Sequence, residues 1–192
     1  TESAFEVLAR ANKLAQGGMD VINLGIGQPD FKTPEHIVEA AIKALKNGHH
    51  GYTPANGIPE LREAVAADIA KYRKCEVNPD NVVIMPGGKP TMFFAITMFG
   101  APGTEIIYPN PGFPIYESVI KFTGAKPVPM ALHEENGFSF SADEVLELIT
   151  PATRLIIINS PANPTGGTVP RAEMDKLAKG LEDHPHVAIM SD

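Results

Sequence analysis

The strongest fold signal in the sequence is RLIIINSPANPTGG, residues 154–167. Its first part is a continuous apolar run bounded by turn residues, which is typical of a strand buried on both faces of a parallel sheet. The run predicts a strand at residues 154–159, followed by a loop rich in Pro, Gly and Asn. Because open α/β sheets bind ligands at the carboxyl ends of their strands, this loop is also a candidate site.

Strands and helices alternate around this stretch from about residue 80 onward. Further strands are predicted at residues 82–85, 105–108, 126–130 and 187–190. A helix is predicted to follow Gly87 and Gly88 and to run through residue 99, and others are predicted at residues 111–122, 141–149 and 171–181. The helix at 141–149 has Ser141 as its expected N-cap, with Glu144 three residues on. This alternation predicts an α/β fold, a mostly parallel sheet with helices on both faces.

The first fifty residues have a different pattern. Helical periodicity covers residues 4–16 and 34–47, and a segment rich in Gly and Pro separates the two. A third helix is predicted at residues 58–74.

Composition narrows the classes of function. A net charge of −7 argues against a nucleic-acid surface, which needs clustered Lys and Arg. The sequence has no apolar run long enough to span a bilayer, and its start lacks a basic and then apolar leader, so cytoplasm is the expected compartment. The single cysteine, Cys75, excludes a disulfide within the chain and fits a reducing compartment.

The segment PGGK, residues 86–89, is the first candidate site. Paired glycines let the backbone approach an anion, and a helix N-terminus offers N–H groups and partial positive charge, so a phosphate site is one interpretation. A tight turn between strand and helix is the other. A nucleotide P-loop does not fit, because Pro90 follows Lys89.

An amide and a carboxylate follow two other predicted strands. Asn163 lies in the loop after residue 159, where it is either a turn former or a group that orients a polar ring substituent. Asp192 ends the last strand, where it suits a cation or a protonated ring nitrogen. A metal is the weaker option, because no cluster of His or Cys accompanies Asp192. Together with residues 86–89, these groups fit a cofactor with a phosphate at one end and a basic ring at the other.

Motifs along nearly the whole chain, taken in order, resemble the N-terminal half of the class I/II aminotransferases, the fold-type I group that uses pyridoxal 5′-phosphate. The motifs are GIGQPDF at 25–31, YTPANGIPELR at 52–62, PGGK at 86–89, PNPGFPIY at 109–116, NSPANPTG at 159–166 and SD at 191–192. The branch that they resemble acts on aspartate and aromatic amino acids.

The resemblance implies roles for five cofactor-binding residues. Gly88 and Lys89 would give backbone N–H groups to the phosphate. Phe113 would stack on the pyridine ring, with an ordinary core aromatic as the alternative. Asn163 would hydrogen-bond the ring's 3′-oxygen close to the substrate. Asp192 would pair with the protonated ring nitrogen, so that the cofactor acts as an electron sink.

The resemblance also implies a substrate, a partner and a division into domains. Gly27 would lie near the substrate carboxylate, and Tyr52 would reach across a homodimer interface to the partner's cofactor phosphate. Residues 1–50 would form an N-terminal arm and part of a small domain. Residues 51–192 would form the first part of the large cofactor-binding domain. The expected reaction moves an amino group between an amino acid and a 2-oxo acid.

Enzymes of this family hold the cofactor as a Schiff base on a lysine. The sequence has eleven lysines, and none of them stands at the position of that lysine in the family. The arginine that binds the substrate carboxylate is missing too. We therefore expect an N-terminal portion, incomplete at the C-terminus and inactive alone. Two alternatives stay open: a lyase or decarboxylase of the same fold, and a non-catalytic cofactor-binding sensor domain like those of some transcription regulators.

Overall fold

The computed structural model describes residues 3–25 and 27–192. Thr1 and Glu2, at the start of the sequence, and Ile26, in the GIGQPDF motif, lie outside the described residues. The chain forms two compact units, residues 3–86 and residues 87–192. Each unit is described by itself.

In its described residues, the first unit contains three α-helices at the predicted places. They are α1 (Ser3–Gln16), α2 (Glu35–Lys46) and α3 (Pro59–Arg73). Helix α3 begins at a proline, whose missing N–H is harmless in the first turn. It ends at Lys74, which takes the left-handed conformation of a helix C-cap.

The YTPANGIPELR motif connects α3 to the chain that follows it. Gly57 has a positive φ of 102°, and a Cβ there would lie 2.4 Å from the Ile84 side chain, so the turn requires glycine. The backbone N–H of Ile84 donates to Asn56 O at 3.0 Å. The guanidinium of Arg62 donates to Val82 O at 3.0 Å and to Pro79 O at 2.8 Å. Local packing thus explains why the motif has a glycine at position 57 and an arginine at position 62.

The strand predicted at residues 82–85 is wrong. A strand needs a hydrogen-bonded neighbour, and residues 82–85 pair with none of the strands in the described part of the chain. Their bonds go instead to the loop before α3 and to Arg62. An apolar run alone therefore does not specify a strand.

The second unit is an α/β fold with a parallel sheet, as the sequence predicts, and the sheet has four strands. The strands are β1 (Glu105–Asn110), β2 (Lys126–Ala131), β3 (Thr153–Ile158) and β4 (Ala188–Ser191), in the spatial order β2-β1-β3-β4. The helices are α4 (Gly88–Phe99), α5 (Ile115–Phe122), α6 (Ala142–Glu147) and α7 (Arg171–Gly180).

Strand β3 is buried on both faces, and its side chains alternate between two cores. Leu155 and Ile157 pack into a cluster that contains residues of α4 and α5. Ile156 and Ile158 pack into a second cluster that contains residues of α6 and α7. Burying one such side chain contributes roughly 1.5–3 kcal/mol, so β3 stabilises both layers.

Helix α5 begins later than predicted and the N-terminus of α6 is capped differently, each for an identifiable reason. The helix predicted at residues 111–122 begins at Ile115, because Pro114 disfavours the helical conformation of the residue before it. Ser141 occupies the N-cap of α6, but its side chain makes no capping hydrogen bond. The N–H of Ala142 donates instead to the Glu173 carboxylate on α7, at 2.6 Å.

Among residues 3–25 and 27–192, no helix is both long and apolar enough to cross a membrane.

Replacing Arg62 tests how the first unit is held together. We expect Arg62→Met to lower the free energy of unfolding by about 1–3 kcal/mol, because two backbone carbonyls lose a charged donor. The matched control is Asp80→Asn, which removes the ion pair that Arg62 forms with an 84% exposed carboxylate. This control should cost less than about 0.5 kcal/mol, since exposed ion pairs contribute little. Urea unfolding measures both, and equal losses would contradict the assignment.

Glu105 gives the second unit a pH-dependent contact at the amino ends of its strands. Hydrogen bonds from Lys126, at 2.8 Å, and from Thr150, at 2.7 Å, hold the pKa of the Glu105 carboxyl below its ordinary value of 4.5. A depressed folded pKa stabilises the protein above the unfolded value, and this stabilisation is lost as the pH falls through the folded value.

We therefore expect Glu105→Gln to lower the free energy of unfolding by about 1 kcal/mol at neutral pH. The difference from wild type should shrink as the pH falls from 4.5 through the lower pKa of Glu105 in the folded protein, where the folded wild-type carboxylate becomes protonated. Denaturant unfolding over a pH series measures the difference. Glu117→Gln is the control, because its ion pair with Lys121 lies on an exposed helix surface. A penalty for Glu105→Gln that stays constant with pH would refute this origin.

Candidate functional site

The carboxyl ends of β1, β3 and β4 lie side by side at one edge of the sheet. These three strands are parallel neighbours, so the loops that follow them leave from the same edge. Phe113 follows β1, Asn159 and Asn163 follow β3, and Asp192 follows β4. The strand order therefore explains why groups so distant in sequence meet.

Asp192 is held through its backbone and its side chain. Its N–H donates to Ile158 O at 2.9 Å, which continues the β3–β4 ladder by one bond. Its backbone carbonyl accepts from Asn159 Nδ2 at 3.2 Å. Its carboxylate Oδ2 accepts from the hydroxyl of Tyr116. Two partners thus hold the backbone of Asp192, and Tyr116 orients its carboxylate.

Tyr116 connects the apolar core to the Asp192 carboxylate. The residue is fully buried in the cluster between the sheet and α4 and α5. Burial, followed by the hydrogen bond to Asp192 and the charge of that carboxylate, raises the pKa of Tyr116 far above its ordinary value. The hydroxyl therefore stays protonated and donates to Asp192.

The ring of Phe113 lies between Tyr116 and the first turn of α4. Its centroid is 6.0 Å from that of Tyr116, with an edge-to-face angle of 82°. The Lys89 Nζ lies 6.0 Å from the Phe113 centroid, at the outer limit for a cation–π contact. Phe113 is half-buried, so one part of the ring stays accessible.

Gly87 and Gly88 precede and open α4. Gly87 has a φ of 97°, which favours glycine, and a Cβ on it would meet no atom within 4 Å. A Cβ on Gly88 would meet only the end of Met92, at 3.9 Å. The backbone is therefore open at the helix N-terminus, where N–H groups and the helix dipole favour an anion.

The loop after β3 is closed by its own hydrogen bonds and by Asn159. Asn159 Oδ1 accepts from the N–H of Asn163 at 2.6 Å. The backbone N–H of Ala162 donates to Gly167 O at 2.8 Å. A Cβ on Gly167 would lie 2.6 Å from Gly137 O, so this loop packs closely against residues 137–138.

Four of the predicted site residues are linked by contacts. Lys89 approaches Phe113, Phe113 packs on Tyr116, and Tyr116 binds Asp192. Asn159 then joins Asp192 to Asn163. Gly88 adjoins Lys89 in the first turn of α4.

Gly27 and Tyr52 belong to the unit of residues 3–86, and both are exposed. Their predicted roles stay predictions. Among the described residues, no group of three or more His, Cys, Asp or Glu is arranged to hold a metal ion.

Tyr116 and Asn159 are site residues to which the sequence reasoning gave no role. Both stand inside the quoted motifs, Tyr116 at the end of PNPGFPIY and Asn159 at the start of NSPANPTG. The sequence offers a signal for each of them. Asn159 is a polar residue directly after the most apolar strand, and Tyr116 lies three residues after the predicted stacking aromatic, Phe113.

Comparisons with known proteins agree on one family. The family model for aminotransferase class I and II matches residues 19–192. A probable aspartate/prephenate aminotransferase from Aquifex aeolicus is 41% identical over 173 residues, covering 90% of this chain and 44% of the relative. The aspartate aminotransferase of Pyrococcus horikoshii is 42% identical over 187 residues, covering 97% and 46%.

Solved structures give the same result for the fold. The aspartate aminotransferase of Thermus thermophilus with maleate matches with a TM-score of 0.93 and 36% identity, over 99% of this chain and 50% of that one. The alanine aminotransferase of Pyrococcus furiosus matches with a TM-score of 0.94 and 31% identity, over 100% and 49%.

The chain spans about half the length of the curated relatives it matches. These relatives do not favour the lyase or sensor alternatives, since their names are those of aminotransferases. With a family model that covers residues 19–192, relatives about 40% identical and a matching fold, the chain belongs to the class I and II aminotransferase family.

Proposed function

We propose that the protein containing this chain is a pyridoxal-phosphate-dependent aminotransferase, which transfers an amino group between an amino acid and a 2-oxo acid. The observation that carries the proposal is the Asp192 carboxylate, held at the carboxyl edge of the sheet by a buried tyrosine hydroxyl. Relatives named for aspartate, prephenate and aromatic amino acids support this substrate class.

The side chains at the sheet edge fit pyridoxal phosphate. A carboxylate suits a protonated ring nitrogen, a half-buried aromatic suits a planar ring, and an amide suits a ring oxygen. The open glycine backbone before α4 suits a phosphate, because a side chain at Gly87 would occupy that space. The chemistry of these groups matches the two ends and the face of one molecule.

Bound pyridoxal phosphate supplies an electron sink for the amino acid's bonds. In the proposed arrangement Asp192 pairs with the ring nitrogen and keeps a proton at that atom. Tyr116 holds the carboxylate in position, and Phe113 stacks on the ring and excludes water from that face. Asn163 donates to the ring's 3′-oxygen. The backbone N–H groups of Gly88 and Lys89 bind the phosphate, assisted by the dipole of α4.

Four further parts of the proposal concern the whole protein. The anchoring lysine belongs to the part of the protein outside these 192 residues, which span only 44% to 48% of the curated relatives. Gly27 lies near the substrate carboxylate. Tyr52 reaches the cofactor phosphate of the second subunit in a cytoplasmic homodimer. Residues 1–50 form the arm and part of a small domain, and residues 51–192 begin the cofactor domain.

Removing the Tyr116 hydroxyl tests how Asp192 is positioned. We expect Tyr116→Phe to weaken pyridoxal phosphate binding by about tenfold, because a hydrogen bond to a charged group contributes roughly 1.5–3 kcal/mol. Tyr108→Phe is the matched control, since Tyr108 is another buried tyrosine of the same core cluster. Titration of the full protein by cofactor absorbance gives both dissociation constants. Equal affinities of the two variants would contradict the role of Tyr116.

The reaction itself is tested with the full protein and with this chain alone. The full protein should convert aspartate or an aromatic amino acid to its 2-oxo acid when a 2-oxo acceptor is present. The 192-residue chain with added pyridoxal phosphate should show no turnover beyond that of the free cofactor, because no lysine stands at the anchoring position. Single-turnover product analysis measures both. Robust product from the isolated chain would overturn the assignment of the lysine.

A further inference from the structure

We propose that Asn159 is a positioning residue that sets the place of Asn163 relative to Asp192. This inference rests on the proposed function, because Asn163 and Asp192 are the residues assigned there to two atoms of one ring. Asn159 itself is the first residue after β3, between the sheet and the loop.

The side chain of Asn159 makes one hydrogen bond with each of its two polar atoms. Its Oδ1 accepts from the N–H of Asn163 at 2.6 Å. Its Nδ2 donates to the backbone carbonyl of Asp192 at 3.2 Å. We call these two bonds the Asn159 bridge. Both reach backbone atoms, so the bridge controls where the two chain segments lie and not the chemistry of their side chains.

Asn163 depends on this bridge more than Asp192 does. Asp192 is also held by Ile158 and by Tyr116. The backbone bonds of the loop join Ala162 to Gly166 and Gly167, within the loop itself. They fix the shape of the loop, whereas the Asn159 bridge connects the loop to the end of β4. Asn163 is exposed, so packing does little to replace the bridge.

Only a side-chain amide satisfies both ends of the bridge. Asparagine carries an acceptor and a donor on one planar group, whereas an ionised aspartate carries acceptors alone. Asn159→Asp therefore keeps the bond to the Asn163 N–H and loses the donor to Asp192 O. Asn159→Ala loses both. The two variants separate loss of the whole bridge from loss of one arm.

The first measurement is amide hydrogen exchange in the full protein without cofactor. Asn159→Ala should speed exchange of the Asn163 backbone amide by about fivefold, since one net hydrogen bond contributes roughly 1 kcal/mol. Exchange at Ile156, in the middle of β3, should stay unchanged, which shows that the sheet is intact. Asn159→Asp should keep most of the protection at Asn163. Ser160→Ala is the matched control, because Ser160 Oγ accepts from Val169 N–H, at 3.0 Å, in the same loop.

The second measurement is pyridoxal phosphate affinity of the same variants. Asn159→Ala should raise the dissociation constant by about fivefold and Asn159→Asp by less, on the same hydrogen-bond magnitude. Ser160→Ala should stay within about twofold of wild type. Equal affinities for Asn159→Ala and Ser160→Ala, or unchanged exchange at Asn163, would overturn the inference. Failure of the wild-type protein to bind pyridoxal phosphate would instead refute the proposed function, and exchange at Asn163 would still decide whether the bridge positions the loop.

Discussion

Burial of β3 on both faces is the constraint on which the rest of the second unit depends. Alternate side chains of one apolar run enter two different cores, so helices must cover both sides of the sheet. Covering both sides requires crossover connections, and crossovers make neighbouring strands parallel. The carboxyl ends of parallel strands lie at the same edge of a sheet. The loops that follow these strands therefore meet at one edge because Leu155 to Ile158 are buried on both faces.

The polar edge is connected to the apolar core through Tyr116. Its ring is part of the cluster beneath α4 and α5, while its hydroxyl reaches the Asp192 carboxylate. An exposed acidic side chain at the end of a strand is ordinarily free to rotate. Here a core residue limits that rotation, and Asn159 and Ile158 limit the backbone. The groups that position the Asp192 carboxylate are therefore uncharged, and one of them is anchored by packing in the apolar core.

Sequence reasoning recovered what is encoded locally. The apolar run and turn residues around β3 identified that strand, and helical periodicity identified α1 to α3 within one or two residues. It failed where a partner decides the structure. Residues 82–85 are apolar and extended but have no described strand beside them. The roles of Tyr116 and Asn159 were missed because their partner Asp192 is 76 and 33 residues away in sequence. No local pattern reports such contacts.

The three-sided hold on Asp192 has a thermodynamic consequence. A carboxylate that must be ordered when its ligand arrives costs conformational entropy at binding, roughly 0.5–1.5 kcal/mol for one side chain. At Asp192 the ladder bond, the Asn159 amide and the Tyr116 hydroxyl order the group as the sheet forms. That entropic cost is transferred from the binding step to the folding step, and the site is preorganised before any ligand enters it.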